Sequence, residues 1–278
     1  MLLRWSAAGS FDYEETDYGS PGAYRLEVSA DSSDGADGSW SVLVEQPRVT
    51  THGEAHRLAF TGQRWVRMVV TAAPAASPNG VQLDEIAVHD ASVGEADTWF
   101  FAGDSITAFA MGRMSAPSAR FAALVHARHP SHYPLVLNGG MGGDKSEDGA
   151  RRIRSHLAMN PDVRTWAICY GANDAAGDAS DTTQFRRNIL AIVDAVRDAG
   201  RTAILATIPF ATEGHRHIPR FNAAIDEVRR ERGLAAGPDL YAWFAAHPDE
   251  LADGLHPNER GIASINRLWA EAVDSLYP

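Results

Sequence analysis

From about residue 98 to the C-terminus, short apolar runs alternate with segments of helical periodicity. The pattern predicts strands at 100–102, 133–137, 165–169, 203–206 and near Leu240. It predicts helices over 118–129, 185–196, 221–230 and 262–272, and a further helix that ends over 151–157. Alternation of this kind indicates a parallel sheet covered by helices on both faces, and ligands of such folds bind at the carboxyl ends of the strands. We therefore expect an α/β domain over 98–278.

The first 92 residues have a different pattern and predict a smaller, separate domain. They contain short alternating runs, such as Tyr24, Leu26 and Val28, with turn-forming segments at 31–38 and 74–80 between them. Alternation with frequent turns is typical of an antiparallel sandwich or jelly roll. The small, polar residues of 93–97 predict a linker.

Composition excludes several classes of partner. The chain of 278 residues carries 36 acidic and 25 basic residues, a net charge of -11, and has no basic tract. Nucleic acids bind to clusters of Lys and Arg, so we expect no nucleic-acid partner. No stretch is long and apolar enough for a membrane span. The first five residues are too few for a signal peptide, which predicts a cytoplasmic protein unless a leader has been removed. The oligomeric state is not indicated.

The segment 100–107, Phe-Phe-Ala-Gly-Asp-Ser-Ile-Thr, places a serine at a strand-to-helix turn. The apolar residues predict a buried strand, and Gly103 and Asp104 end it. Ser105 then lies beside the free N–H groups of a helix start, which can stabilise a developing oxyanion. Ser105 is thus a candidate nucleophile. The alternative is that Gly-Asp-Ser is ordinary turn composition.

Three further segments follow predicted strands. Segment 138–144 is rich in glycine, but it lacks the Lys-Ser/Thr of a phosphate-binding loop. Segment 171–174 contains Asn173, which is either an oxyanion donor or a turn residue. Asp253 precedes His256 by three residues, a spacing that lets the carboxylate orient the imidazole and leave its other nitrogen for the serine.

Together these four segments resemble, in order, the conserved blocks of the SGNH (GDSL) hydrolases, which are serine esterases. The resemblance spans about 98–278 and implies a flavodoxin-like, three-layer α/β/α fold. It implies that Ser105 is the nucleophile, that His256 is the base and that Asp253 orients it. It also implies that the N–H groups of Ser105 and Gly143 and the side chain of Asn173 hold the oxyanion, with Gly140 an alternative to Gly143.

The N-terminal segment resembles, more loosely, the later strands of discoidin-like, galactose-binding-type jelly rolls. The residues concerned are 24–29, 37–40 and 60–67. Trp40 and Trp65 within them are expected to serve packing rather than sugar binding. A jelly roll before a GDSL domain is similar to two-domain acetyl esterases that act on polysaccharides or oligosaccharides. This implies a carbohydrate acetyl esterase. A short-chain lipid esterase or thioesterase, and a carbohydrate-binding protein without catalysis, are the alternatives.

The remaining candidates concern substrate contacts and metals. Asp104, Asp174 and His215 are expected to contact the substrate, with His215 in a polar loop after the strand at 203–206. The spacing of His126, His129 and His132, which straddles Pro130, does not form a common helix face. We therefore expect no metal site and no cofactor. The single cysteine, Cys169, is expected in the core.

Overall fold

The computed structural model describes residues 1–7, 20–49, 53–74, 80–90, 97–112, 116–177, 180–212 and 214–277. The chain divides into two compact units, Met1–Glu95 and Ala96–Pro278. Of the linker predicted at 93–97, only Asp97 lies within the described residues. No helix in these ranges is long and apolar enough to cross a membrane.

The first unit consists of two antiparallel sheets of three strands each. Its strands are β1 (Leu2–Ala7), β2 (Ala23–Ser29), β3 (Ser41–Gln46), β4 (Gly53–Arg57), β5 (Trp65–Ala72) and β6 (Leu83–His89). The strand order is β4-β1-β6 in one sheet and β3-β2-β5 in the other. The predicted all-β unit is therefore confirmed, although β1 and β4 were not predicted. The jelly-roll topology remains a prediction.

The two sheets share a small apolar core. Leu3 and Trp5 of β1 pack with Tyr24 and Leu26 of β2. The rings of Trp5 and Tyr24 meet edge to face, with centroids 5.6 Å apart. Leu3 and Trp5 are alternate residues of β1, and Tyr24 and Leu26 are alternate residues of β2. Each pair therefore lies on one face of its sheet, as expected for two sheets that pack face to face.

The two tryptophans singled out from the sequence are only partly buried. The Nε1–H of Trp65 donates to the carbonyl oxygen of Ser32 at 2.7 Å, and that of Trp40 donates to the carbonyl of Asp37 at 2.8 Å. The guanidinium of Arg67 lies 3.7 Å from the ring centroid of Trp40. Both indoles therefore stabilise the turn at 31–38 rather than the core.

The second unit is built on a parallel sheet. Its strands are β7 (Thr98–Gly103), β8 (Leu135–Gly140), β9 (Thr165–Cys169) and β10 (Thr202–Leu205), in the order β10-β9-β7-β8. Seven α-helices accompany them: α1 (Ser105–Gly112), α2 (Phe121–Arg128), α3 (Ser146–Met159), α4 (Thr183–Asp198), α5 (Ile218–Arg232), α6 (Leu240–Ala246) and α7 (Glu259–Ala272). Helices α1 and α2 pack with α7, and α3 and α5 pack with α4. The predicted α/β fold is confirmed.

Strand β7 shows why this sheet is covered on both faces. All six of its residues are buried. Trp99 and Phe101 contact Phe121 of α2, while Phe100, which points to the other face, stacks on Trp166 with ring centroids 4.5 Å apart. Because successive side chains of a strand point to opposite faces, only helices on both sides can bury this run.

Two elements differ from the sequence predictions. Strand β8 extends through Gly140, so the first three residues of segment 138–144 belong to the strand. The strand predicted near Leu240 is wrong. Leu240 begins α6, because the side chain of Asp239 caps that helix by accepting from the N–H of Ala242 at 3.0 Å. Beyond β10, an isolated parallel bridge joins Leu205 to Ala236.

Gly140→Ala is expected to lower the free energy of unfolding by at least ~2 kcal/mol, because the added methyl group has no space and forces the backbone to shift. A Cβ at Gly140 would lie 2.2 Å from the backbone nitrogen of Ala108, whereas a Cβ at Gly142 would meet no atom within 4 Å. Gly142→Ala is therefore the matched control and should change stability by less than ~0.5 kcal/mol. Urea-unfolding midpoints measure both variants, and equal midpoints would contradict the packing argument.

Candidate active site

The carboxyl ends of β7, β8 and β9 bring the predicted segments together. Helix α1 begins at Ser105, one residue after Asp104 and two after the end of β7. Gly103 is in register with Gly140 of β8 and with Cys169 of β9. The N–H of Met141 donates to the carbonyl oxygen of Gly103 at 3.0 Å, which fixes the glycine-rich turn beside the serine.

A chain of two hydrogen bonds joins Ser105 to His256 and Asp253. The Oγ of Ser105 lies 2.8 Å from Nε2 of His256, and Nδ1 of His256 lies 2.7 Å from Oδ2 of Asp253. The structure thus brings together three residues that are up to 151 positions apart in sequence. This arrangement can move a proton from the hydroxyl to the imidazole and hold the imidazolium that forms.

Asp253 also fixes the turn that carries His256. Its Oδ1 accepts from the backbone N–H groups of Leu255 and His256 at 3.0 and 2.7 Å. These bonds, chiefly those from the backbone N–H and the imidazole of His256, lower the pKa of Asp253 to about 2. The carboxylate is therefore ionised at neutral pH. Gly254, with φ of 84°, lies against Thr212, whose N–H donates to its carbonyl oxygen at 2.9 Å.

The glycines of segment 138–144 divide into two groups. The N–H of Gly140 donates to Oδ1 of Asn138, whose amide donates in turn to the carbonyl of Ala108 in α1. Gly143 has φ of 84°, a conformation that favours glycine, and its N–H has no acceptor among the described residues. Of the two predicted alternatives, the N–H of Gly143 is therefore the one that remains available to a ligand.

Asn173 lies beside this turn and is linked to it directly. Its Nδ2 donates to the carbonyl oxygen of Asp144 at 2.8 Å. An amide nitrogen carries two hydrogens, so the second remains for another acceptor. This bond places the Asn173 amide next to the Asp144–Lys145 peptide, which begins one residue after Gly143.

Asp174 has its carboxylate turned towards α3. Both oxygens accept from Ser146, at 2.9 Å from the backbone N–H and 2.5 Å from the hydroxyl. The Nδ2 of Asn188 in α4 donates to the same hydroxyl oxygen at 3.0 Å. Burial raises the pKa of Asp174, and the bonds from Ser146 oppose that shift. These contacts tie the segment carrying Asn173 to α3, and a substrate contact by Asp174 stays a prediction.

Asp104, another of the predicted substrate contacts, is buried beside Ser105. It is only 2% exposed, and its Oδ1 accepts from the N–H of Ile106 at 3.0 Å. Burial raises the pKa of Asp104 to about 7, against the lowering effects of the Ile106 N–H and of the charge on His256. The carboxylate therefore supports the turn that carries Ser105, and a substrate contact by Asp104 stays a prediction.

A buried ion pair beneath the glycine-rich turn was not predicted from the sequence. The Nη2 of Arg152 donates to Oδ1 of Asp144 at 2.7 Å, and both side chains are under 8% exposed. A signal was available in α3, because Arg152 shares a helix face with Gly149, Ile153 and His156, which are all buried. A charged residue on such a face requires a buried partner.

The predicted substrate contact His215 lies in a partly exposed loop, and no contact with Ser105 or His256 is established for it. The loop touches the rest of the site through its backbone, since the carbonyl of Gly214 accepts from Gly177 at 2.7 Å. His129, from the histidine spacing at 126–132, lies elsewhere, with Nε2 3.0 Å from Oδ1 of Asp274.

Comparison with known proteins agrees with this geometry. Residues 101–263 match the family described as GDSL-like Lipase/Acylhydrolase. A lipase/acylhydrolase from Enterococcus faecalis has a similar structure at 28% identity and a TM-score of 0.53, covering 65% of this chain and 97% of its own. No curated protein sequence matches significantly.

Two further solved structures are similar at lower identity. The acetylxylan esterase Axe2 from Geobacillus stearothermophilus is 20% identical with a TM-score of 0.53, covering 65% of this chain and 95% of its own. Est24, a carbohydrate acetylesterase from Sinorhizobium meliloti, is 14% identical with a TM-score of 0.51, covering 65% and 99%. At this identity the likeness shows the fold alone.

Asp104→Asn is expected to stabilise the protein more at pH 8 than at pH 5. The folded-state pKa of Asp104, about 7, lies above its ordinary value of 3.8. The contribution of Asp104 to the free energy of unfolding is therefore fully present below pH 3.8 and is lost as the pH rises through 7. Asparagine keeps an acceptor for the N–H of Ile106 but cannot ionise. The increase in the free energy of unfolding caused by Asp104→Asn should therefore be about 2–3 kcal/mol larger at pH 8 than at pH 5.

Chemical denaturation of both proteins at pH 5 and pH 8 measures this difference. Asp198→Asn, at the exposed end of α4, is the control and should shift stability equally at both pH values. A gain from Asp104→Asn that does not change with pH would show that Asp104 does not titrate in this range.

Proposed function

The chain belongs to the GDSL-like lipase/acylhydrolase family, and we propose that it is a serine esterase that hydrolyses short-chain esters through an acyl-enzyme. The hydrogen-bonded chain from Ser105 through His256 to Asp253 carries the proposal. A serine is a weak nucleophile at neutral pH, and it needs an adjacent base with a free ring nitrogen. His256 offers Nε2 to the serine while Asp253 holds Nδ1.

The reaction proceeds in two halves. His256 takes the proton from Ser105 as Oγ attacks the ester carbonyl, and the imidazolium is stabilised by the ionised Asp253. The tetrahedral intermediate collapses, His256 returns the proton to the leaving alcohol, and the acyl group stays on Oγ. Water then repeats the sequence, which releases the acid and restores the free serine.

Three N–H donors are proposed to bind the carbonyl oxygen as it becomes negative. The first is the N–H of Ser105, which lies in the first turn of α1 and has no acceptor within the helix. The others are the N–H of Gly143 and the second amide hydrogen of Asn173. Each such donor contributes about 3–4 kcal/mol to transition-state binding.

The polar rim of the site supports an acetyl group and a hydroxylated alcohol. Lys145, Glu147, Thr212 and Arg216, on the segments that adjoin Asn173 and Gly254, are all exposed. A long acyl chain needs an apolar channel, since each buried CH₂ contributes about 0.8 kcal/mol. We therefore propose a carbohydrate acetyl esterase whose substrate is an acetylated sugar or oligosaccharide. We also propose that the first unit, whose sequence pattern resembles galactose-binding domains, contributes to binding of that sugar substrate.

A short-chain lipid esterase or thioesterase is the second candidate. The observation in its favour is Phe109, whose ring centroid lies 5.2 Å from that of His256 and provides apolar surface beside the base. The similar structure from Enterococcus faecalis is described as a lipase/acylhydrolase. A binding protein without catalysis fits less well, since it has no need for a serine hydrogen-bonded to a histidine and a carboxylate.

His256→Ala should lose more activity than Asp253→Ala. The base is irreplaceable, whereas an orienting carboxylate is partly replaced by water, so kcat should be about 10–100-fold higher in Asp253→Ala. Hydrolysis of p-nitrophenyl acetate measures both. Equal losses would mean that Asp253 acts mainly by holding the turn through the N–H groups of Leu255 and His256.

Acetyl esters should be hydrolysed at least about tenfold faster, as kcat/KM, than octanoyl esters of the same phenol, because the rim offers little apolar area. Acetylated xylo-oligosaccharides should release free acetate. Ser105→Ala is the control and should keep its fold while losing at least about a thousandfold in kcat. A preference for octanoyl esters would favour the lipid candidate, and wild-type protein inactive on all esters would contradict the esterase proposal.

A further inference from the structure

The side chain of Asn173 has its orientation set by one hydrogen bond. Its two N–H groups lie in the amide plane at a fixed angle, so anchoring one of them determines where the other points. The anchor is the carbonyl oxygen of Asp144, 2.8 Å away. A small displacement of Asp144 would therefore turn the second N–H away from the substrate.

Asp144 has no freedom to move because its carboxylate is buried and paired. The side chain of Asp144 is 7% exposed and that of Arg152 is 4% exposed, with 2.7 Å between Oδ1 and Nη2. A buried carboxylate separated from its partner would be strongly disfavoured, so the pair keeps the residue in one position. The N–H of Asp144 adds a weaker bond to the carbonyl of Met141 at 3.3 Å.

Arg152 itself is held by α3 and by a second contact. Helix α3 supplies a rigid base, and Nη1 of the guanidinium lies 2.9 Å from Sδ of Met141. Arg152 touches neither Ser105 nor His256 in any contact that the structure defines. Its bond to Asp144 reaches the residue that anchors Asn173, so we expect its effect on the reaction to pass through Asp144.

We propose that Arg152 is a positioning residue for the reaction, because it fixes Asp144 and, through the Asp144 carbonyl, the amide of Asn173 that faces the oxyanion. The inference rests on the proposed esterase function. It assigns a role in transition-state binding to a residue on the buried face of α3, behind the groups that contact the substrate.

The kinetic test compares Arg152→Met with Arg151→Met, which removes a half-exposed arginine from the next position of the same helix. Arg152→Met should lower kcat on p-nitrophenyl acetate about 100-fold, the usual effect of losing one oxyanion donor, with KM changed less than about threefold. Arg151→Met should keep the wild-type kcat. A wild-type kcat in Arg152→Met would overturn the proposal.

A double-mutant cycle separates positioning from a general structural effect. If Arg152 acts through Asn173, Arg152→Met should cost less than about fivefold in kcat when Asn173→Ala is already present. A full 100-fold loss in that background would overturn the proposal. Because Arg152→Met leaves a buried carboxylate unpaired, the variant Asp144→Asn with Arg152→Met is measured as well. It removes both charges and should fold, yet kcat should remain low.

The orientation of Asn173 is also measured without any substrate. In protein with isotope-labelled asparagine, the side-chain NH₂ signals of Asn173 are identified by their loss in Asn173→Asp. One of the two hydrogens should exchange slowly in the wild type and in Arg151→Met, and fast in the Asp144→Asn, Arg152→Met variant. Unchanged exchange would overturn the positioning role even if the wild type proved to hydrolyse no ester.

Discussion

Burial of β7 on both faces is the constraint on which the second unit depends. Trp99 packs against Phe121 of α2 on one face and Phe100 against His156 of α3 on the other, which fixes β7 as an inner strand of the sheet. Gly103 then allows α1 to begin close to β9, because a Cβ there would lie 2.1 Å from Oγ1 of Thr107 in α1 and 2.6 Å from the carbonyl oxygen of Cys169 in β9. The position of Ser105 is thus a consequence of core packing, and the polar residues of the site are arranged around a point that the core defines.

The site concentrates negative charge in a poorly solvated region. Asp104, Asp144 and Asp174 are all buried or partly buried, and each is stabilised by a different kind of partner. Asp144 has a guanidinium, Asp174 has the hydroxyl and N–H of Ser146, and Asp104 has one backbone N–H. The residue with the weakest partner has its pKa raised to about 7. Burial is the largest cause of that rise, and it is opposed by the N–H of Ile106.

The α/β fold and the residues that meet at the sheet edge could be predicted because both depend on local patterns. Strand–helix alternation determines the sheet, and parallel strands necessarily align Ser105 with Asn173. The Arg152–Asp144 pair depends on how α3 rotates against the sheet, which hydrophobic periodicity defines only coarsely. The apolar residues that begin at Leu240 fit a short strand or a helix, so the pattern alone does not distinguish the two. The side chain of Asp239 caps the helix and so favours it over a strand. Whether a residue forms such a cap depends on side-chain geometry, which the composition of the segment does not reveal.

The two ion pairs of the site differ in their exposure to solvent, and this gives them different responses to salt. The side chain of Asp253 is 58% exposed, so its attraction to a protonated His256 is screened by dissolved ions over about 8 Å at physiological ionic strength. The Arg152–Asp144 pair lies below the surface, where mobile ions do not enter. Concentrated salt therefore weakens the support of the base while leaving the groups around the oxyanion position in place.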